Sequence, residues 1–260
     1  NKVAIITKSR YHGGLTRLTK LHELECTSLL SGAGTLQKDS ENMYILSPSR
    51  GEHHVDAEKS LIMPPLVSSI RCTGKLIASA TSAKELLDEI KALQLVMRDQ
   101  WSMKYECLQP IKQTFEGRST EFSSKTIMCS IANIIKQGTF SVDPNDYSDL
   151  LGVYETSKGL SVVNIDLNND VEIRFERSKK SWTQRPFQYS ASLGFDISVC
   201  ALNILRCMIY NKRRTHTSRL LQPKKEKLTL LDPCCGAGTN LVVARRLGFD
   251  RVIGFDINPN

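Results

Sequence analysis

The chain has 260 residues, 40% hydrophobic and 24% charged, the balance of a globular protein with room for one to three domains. No apolar run approaches the ~20 residues of a membrane span, so a membrane-embedded chain is not expected, and no secretory signal is visible in a sequence that starts with Asn1 rather than Met. The net charge of +8 is concentrated: thirteen Lys and Arg, against four Asp and Glu, lie between Val171 and Lys227.

Such a block is the electrostatic footprint of a polyanionic partner. Phe175, Trp182, Phe187 and Tyr189 are interleaved with it, as stacking on bases requires. A solvated linker and helix face would carry the same charges, and core packing would use the same aromatics. The residues that a polyanion would meet first are Arg174, Arg177, Lys179, Lys180, Arg185, Lys212, Arg213 and Arg214. Eight cysteines, Cys26, Cys72, Cys107, Cys129, Cys200, Cys207, Cys234 and Cys235, form no C-x-x-C. No metal site is expected from them. Their scatter fits small buried hydrophobes in a reducing compartment, so a cytoplasmic location is expected.

In chain order, Val3 to Ile6 and Met43 to Leu46 read as short strands. Between them Leu18, Leu21, Leu24, Leu29 and Leu30 recur at helical spacing, and Gly32 stands where a C-cap glycine belongs. SPSRGEHHVD over residues 47–56 is a turn-rich loop; its adjacent His53 and His54 lack a third ligand nearby and read as loop residues. Arg71 to Leu76 is a returning strand. Ser82 with Glu85 is a capping box that opens a helix striped by Leu86, Leu87, Ile90 and Leu93. Met103 to Cys107 is a strand. Ser123 and Ser124 open a helix whose Ile127, Met128, Ile131, Ile134 and Ile135 face a core, and Gly138 stops it. Val142 to Asp146 is a turn. Leu150 to Tyr154 and Leu160 to Asp166 are strands, with Lys158-Gly159 as the hairpin signal. Val171 to Ser192 reads as a basic linker. Phe195 to Tyr210 is a helix, with Ile197, Ala201, Ile204, Leu205 and Met208 on one face.

GAGT occurs twice, and context separates the copies. The first, from Gly32, follows a helix, whose C-terminus offers carbonyls rather than N–H groups; it reads as a cap and a turn. The second, from Gly236, follows the apolar run Leu228 to Leu231 and precedes a helix over Asn240 to Leu247. Strand, glycine turn and helix N-terminus is the place where open α/β sheets bind ligands. A second strand from Arg251 to Phe255 leads to Asp256, 20 positions after Gly236, the spacing of an acid that grips ribose hydroxyls. A dinucleotide motif would need a third glycine where Leu241 stands. Asp232, four residues before Gly236, would repel a pyrophosphate and suits a ligand with a cationic end, as S-adenosylmethionine has. The adjacent Cys234 and Cys235 read as small side chains packing the turn rather than as nucleophiles.

LLDxxxGxG followed by an acid after the next strand resembles the first two motifs of Rossmann-like methyltransferases. LDPCCGAGT (231–239) and IGFDINP (253–259) are similar to the cofactor motifs of the THUMP-linked RNA methylases, the UPF0020-type family. SSKTIMCSIANIIKQGTFSVDPNDYSDLLGVYETSKGLSVVNIDL (123–167) resembles the C-terminal half of a THUMP domain. RPFQYSASLGFDISVCALNIL (185–205) resembles the entry into the linked methyltransferase. The domain order and RCTGKLIASATSAKELLDEI (71–90) are most like the branch that methylates N2 of a tRNA guanosine.

The resemblance implies an α+β N-terminal region, with a ferredoxin-like domain over 1–79 and a THUMP-like RNA-binding domain over 80–170. A basic linker over 171–192 and the first part of an α/β Rossmann-like methyltransferase domain over 193–260 would follow. It implies S-adenosylmethionine as cofactor, tRNA as partner and, in some relatives, a small activator subunit. Asp232, Pro233, Gly236, Ala237 and Gly238 would line the methionine end. Thr239 would start the helix beneath, Asp256 would hold the ribose and Ile257 the adenine. Phe187, Tyr189 and Ser192 would close the site. The family's Asn/Asp-Pro-Pro-Tyr/Phe motif, which holds the target base, has no counterpart: Met63-Pro64-Pro65-Leu66 lacks both the acid and the aromatic. With Asn260 coming just after the second strand, the catalytic residues are expected beyond it and the chain reads as part of a longer product. A non-catalytic RNA-binding module and a base methyltransferase acting on rRNA or DNA remain open.

Overall fold

Val162 and Val163 are adjacent and both fully buried, yet they enter different cores. Successive strand residues point to opposite faces, so the strand that carries them is covered on both sides. The computed structural model describes residues 2–8, 16–31, 33–40, 42–47, 63–97, 100–108, 123–135, 138–141, 147–167, 171–185, 192–216 and 227–257. The described chain forms two compact units.

The first unit comprises Asn1–His12, Ala33–Leu61 and Cys72–Asp170. It is built on a mixed sheet of eight strands: β1 (Val3–Thr7), β2 (Thr35–Ser40), β3 (Met43–Ser47), β4 (Ile70–Ala80), β5 (Gln100–Cys107), β6 (Thr139–Phe140), β7 (Asp149–Thr156) and β8 (Gly159–Ile165). Their order is β2-β3-β1-β4-β8-β7-β5-β6. β3 is antiparallel to both β1 and β2, and β8 to both β4 and β7. β5 and β7 are parallel and joined through a helix, the crossover that parallel pairing requires. Strands from before and after residue 79 thus share one sheet, meeting where β4 pairs with β8.

Helices α2 (Ala83–Leu93) and α3 (Ser124–Ile134) cover one face of this sheet. Leu86 and Ile90 of α2, and Ile127 and Ile131 of α3, pack on Trp101, Leu151, Val153 and Val162. Each of these side chains contributes ~1.5–3 kcal/mol through burial. The expected capping box is present: Ser82 Oγ accepts from Glu85 N–H at 3.2 Å, and Glu85 Oε2 accepts from Thr81 N and Oγ1 at 3.2 and 2.6 Å. The Thr81 bonds pull the Glu85 carboxyl below its ordinary pKa. Ser123 caps α3 in the same way, accepting from Thr126 N–H at 3.2 Å. Met43, Tyr154, Val163 and Ile165 fill a core on the other face. The Lys158-Gly159 hairpin forms with Thr156 opposite Gly159, whose φ of +135° suits glycine.

The second unit comprises Gly13–Gly32, Ile62–Arg71 and Val171–Asn260. It holds helices α1 (Thr16–Leu30), α4 (Val171–Thr183), α5 (Phe195–His216) and α6 (Thr239–Arg246), with the parallel strands β9 (Thr229–Asp232) and β10 (Arg251–Gly254). This division cuts across the boundaries expected from the sequence, because α1 packs along α5. Residues 171–183, expected as linker, are helical. Val171, Phe175, Ser178 and Trp182 recur at helical spacing, and the three apolar ones are buried despite the charge around them. Phe175 and Trp182 meet Phe195, Val199, Val243 and Phe249 in one core.

The face of α5 that carries Ile197, Ala201, Leu205 and Met208 is the exposed one. The buried face carries Ser198, Val199, Cys200, Leu202 and Asn203. Cys200 and Asn203 meet Glu25 of α1, a fully buried carboxylate. Glu25 accepts from Ser69 N at 2.8 Å, Ser68 N at 3.4 Å, Asn203 Nδ2 at 2.6 Å and Cys200 Sγ at 3.3 Å. A buried carboxylate persists only with such a set of donors. Burial, then the Glu25 and Glu23 charges, push the Cys26 thiol up to about 12; burial, followed by Glu25, also raises Cys200.

Candidate cofactor site and basic surface

The glycine turn sits at the carboxyl ends of β9 and β10, which pair in register from Thr229↔Arg251 to Asp232↔Gly254. Phe255 N–H donates to Asp232 O at 2.9 Å and Cys235 N–H to Phe255 O at 2.8 Å, so the turn is laced to the chain leaving β10. Gly236 and Gly238 have φ of +50° and +74°, the left-handed region that favours glycine. Gly238 is the N-cap of α6 without a side-chain cap, and Val242 N–H donates to its carbonyl at 3.0 Å. Nothing lies within 4 Å of a Cβ built at Gly236, whereas one at Gly254 would lie 2.8 Å from Cys235 Sγ. The turn is therefore open on one side and pressed on β10 on the other.

The two acids close the turn. Asp256 Oδ2 accepts from Gly236 N–H at 2.7 Å. Asp232 Oδ1 accepts from Cys234 N–H at 3.2 Å, and its Oδ2 from Asn240 Nδ2 at 3.0 Å. Asn240 Oδ1 accepts in turn from Ser198 Oγ at 2.7 Å. Thr239 starts α6 and is buried; its hydroxyl donates to Leu193 O at 3.3 Å, which sets Ser192 and Leu193 beside the turn. Pro233 is exposed on the turn, and Ala237 is half-buried. Ile257 is completely exposed, an apolar side chain beyond the end of β10, and Phe255 is also exposed.

These residues suit S-adenosylmethionine by the chemistry of their donor set. Carboxylates stand ready for an ammonium and for hydroxyls, with open space over Gly236 and an uncovered apolar side chain for a flat base. Asp232, Gly236, Gly238, Thr239, Asn240 and Asp256 are brought together. Phe187 and Tyr189 lie outside the described residues. Asn240, Ser198 and Gly254 carry no weight in the sequence reading. The one signal for Asn240 is a polar residue at the second position of a helix that turns inward.

The basic residues divide into three groups. Arg174, Arg177 and Lys180 are exposed on α4. Lys179 is engaged with Asp196 at 3.0 Å, and the Arg185 guanidinium lies 4.1 Å from the Trp182 ring centroid, so both serve packing as well as charge. Lys212, Arg213 and Arg214 fall in the last turns of α5, and their side chains lie outside the described residues. Arg246 of α6 donates to Ser178 O at 2.8 Å, tying α6 to α4.

The sequence matches no protein-family model and no curated protein. Solved structures do match. TrmN from Thermus thermophilus aligns at 14% identity and TM-score 0.51 over 99% of this chain and 66% of its own. A possible methylase from Clostridium difficile 630 aligns at 13% identity and TM-score 0.48, over 95% of this chain and 55% of that one. A 4-thiouridine synthetase, solved with RNA and ATP, aligns at 11% identity and TM-score 0.39, over 63% of this chain and 40% of that one. The chain thus spans between 40% and 66% of the lengths of these structures. Nearly the whole chain follows the fold of TrmN.

Proposed function

We propose that this chain supplies the cofactor-binding and RNA-binding parts of an S-adenosylmethionine-dependent RNA methyltransferase, acting on an exocyclic guanine nitrogen of tRNA. The observation that carries the reading is the Gly236 N–H bond to Asp256 at the carboxyl ends of two parallel strands, with Asp232 on the other side of the turn. S-adenosylmethionine would bring an electrophilic methyl group on a sulfonium. Asp232 would bind the ammonium, Asp256 would accept from the ribose hydroxyls and Ile257 would cover the adenine. Gly236, without a side chain, leaves the approach open. Catalysis of this kind rests on positioning and on removal of one proton from the amine.

The THUMP-like residues 80–170, following a ferredoxin-like region over 1–79, would bind the RNA together with Arg174, Arg177 and Lys180. Phosphate contacts would supply much of the affinity. A cytoplasmic location and a small activator subunit belong to the same reading. The described helices include none long and apolar enough to cross a membrane. The exposed basic face of α4 favours a second reading, a non-catalytic RNA-binding module.

Titration calorimetry with S-adenosylmethionine and NAD tests the choice. The full-length protein is expected to bind the first and not the second. Asp256→Ala is expected to weaken S-adenosylmethionine binding by more than tenfold (more than about 1.4 kcal/mol) and to leave tRNA binding nearly intact. Unchanged cofactor affinity in Asp256→Ala would remove that acid from the site. No cofactor binding together with full RNA binding would favour the second reading.

A further inference from the structure

Ser198 is fully buried in α5, where its hydroxyl must find a partner. That partner is Asn240 Oδ1 at 2.7 Å, and Asn240 Nδ2 donates onward to Asp232 Oδ2 at 3.0 Å. The two bonds have a fixed direction. A carboxylate accepts only, so the amide must present its NH2 to Asp232, and its carbonyl oxygen is then left to take the serine proton. The carboxylate thus sets which way the amide faces, and the buried serine anchors its oxygen.

The consequence falls on Asp232. Its Oδ1 is held by Cys234 N–H at 3.2 Å and its Oδ2 by Asn240, so the carboxylate cannot rotate about its own bond without breaking one of them. A carboxylate has about four lone-pair sites. Among the described residues two are used, and the others remain for a cation. The glycine turn itself is held elsewhere, by Gly236 N–H on Asp256 and by Cys235 N–H on Phe255 O. Asn240 is therefore not needed to close the turn; it fixes the acid beside it.

We propose that Asn240, anchored by the buried Ser198, is a positioning residue that presents the Asp232 carboxylate to the ammonium of the cofactor's amino-acid end; this rests on the S-adenosylmethionine reading above. The relay ends on Asp232, the acid assigned to the ammonium, so the effect should be confined to one half of the ligand.

Two probes separate the halves. S-adenosylhomocysteine carries the ammonium, and methylthioadenosine keeps the adenosine without it. In the full-length protein, Asn240→Ala is expected to weaken S-adenosylhomocysteine by about tenfold, the worth of one well-placed polar contact. Methylthioadenosine should stay within about twofold. Ser198→Ala lies outside the turn and keeps the test alive if Asn240→Ala does not fold. It should shift the same ratio in the same direction, by about threefold, since the amide is loosened rather than removed. Equal losses for both ligands would make the relay purely structural and overturn the proposal. So would no loss for either ligand in the variants. If the unaltered protein binds neither ligand, the cofactor reading falls first and this proposal with it.

Discussion

Replacing Gly254 by alanine puts a methyl group where the structure has no room for one. Its Cβ would stand 2.5 Å from Leu241 Cδ1, 2.8 Å from Cys235 Sγ and 3.0 Å from Cys235 Cβ. Ordinary carbon contacts are about 3.5–4.0 Å, so the neighbours must retreat by roughly an ångström. Leu241 is half-buried and can turn away. Cys235 is less free: its N–H is bonded to Phe255 O and its carbonyl accepts from Gly238 N–H, both at 2.8 Å. Moving it means moving the glycine turn. Overpacking of this kind costs about 1–3 kcal/mol. Gly236→Ala is the comparison: a Cβ there meets nothing within 4 Å, and only its φ of +50° opposes the change, a strain of about 1–2 kcal/mol. Urea unfolding followed by near-ultraviolet circular dichroism is expected to show a lower midpoint for Gly254→Ala with an unchanged slope. S-adenosylmethionine binding should weaken in both variants, through a displaced turn in one and an obstructed opening in the other. A Gly254→Ala protein with the original midpoint and the original cofactor affinity would refute the close packing of the turn on β10.

Three further outcomes are expected. Glu25→Ala leaves Ser69 N–H and Asn203 Nδ2 facing each other without their acceptor, and should cost at least about 3 kcal/mol in chemical unfolding; a loss under about 1 kcal/mol would contradict a buried polar hub. The Cys26 thiol ionises at 9.0 in an ordinary setting and at about 12 in the fold, so the unfolded chain sheds this proton first. Stability from protonated Cys26 is full below pH 9 and falls as pH rises towards 12, by up to about 1.4 kcal/mol per unit. Cys26→Ala should flatten that alkaline slope, and a thiol reagent at pH 8 should modify exposed Cys129 and Cys234 before Cys26 or Cys200. Finally, Arg177→Glu with Lys180→Glu should weaken RNA binding and lower the salt slope by roughly 0.7–0.9 for each phosphate that is no longer neutralised; an unchanged slope would take α4 out of the RNA interface.

Local signals made much of the fold legible. Ser82 and Glu85 mark the start of α2 because a cap is a contact between near neighbours. The near-continuous apolar runs around Val153 and Val163 mark β7 and β8 because both faces of the sheet are filled. The strand, turn and helix of the candidate site, and the meeting of Gly236 with Asp256, follow from a spacing that a parallel pair with a crossover enforces. What escaped is what depends on distant chain. β2 has the sequence TLQKDS and lies at the sheet edge, where exposure erases the apolar alternation. α4 has its stripe at Val171, Phe175 and Trp182, but its charge density reads as linker. The exposed face of α5 is its more apolar one, because the polar residues on the other side answer to Glu25, Ser68 and Asn240. No periodicity reports such partners.

Helix α1 has a consequence for the order in which the protein takes shape during synthesis. Glu25 leaves the ribosome early, yet its partners Cys200 and Asn203 follow 175 and 178 residues later. At about 5–20 residues per second that delay is roughly ten to thirty-five seconds. During it the acid has only the Ser68 and Ser69 N–H groups to turn to, and the side of α1 that packs on α5 has no partner. All eight strands of the large sheet are made by Ile165, so that sheet can assemble while α1 waits on a loop between β1 and β2. A cleavage at residue 170 would accordingly not release the α/β part intact: it would leave behind the helix that completes it.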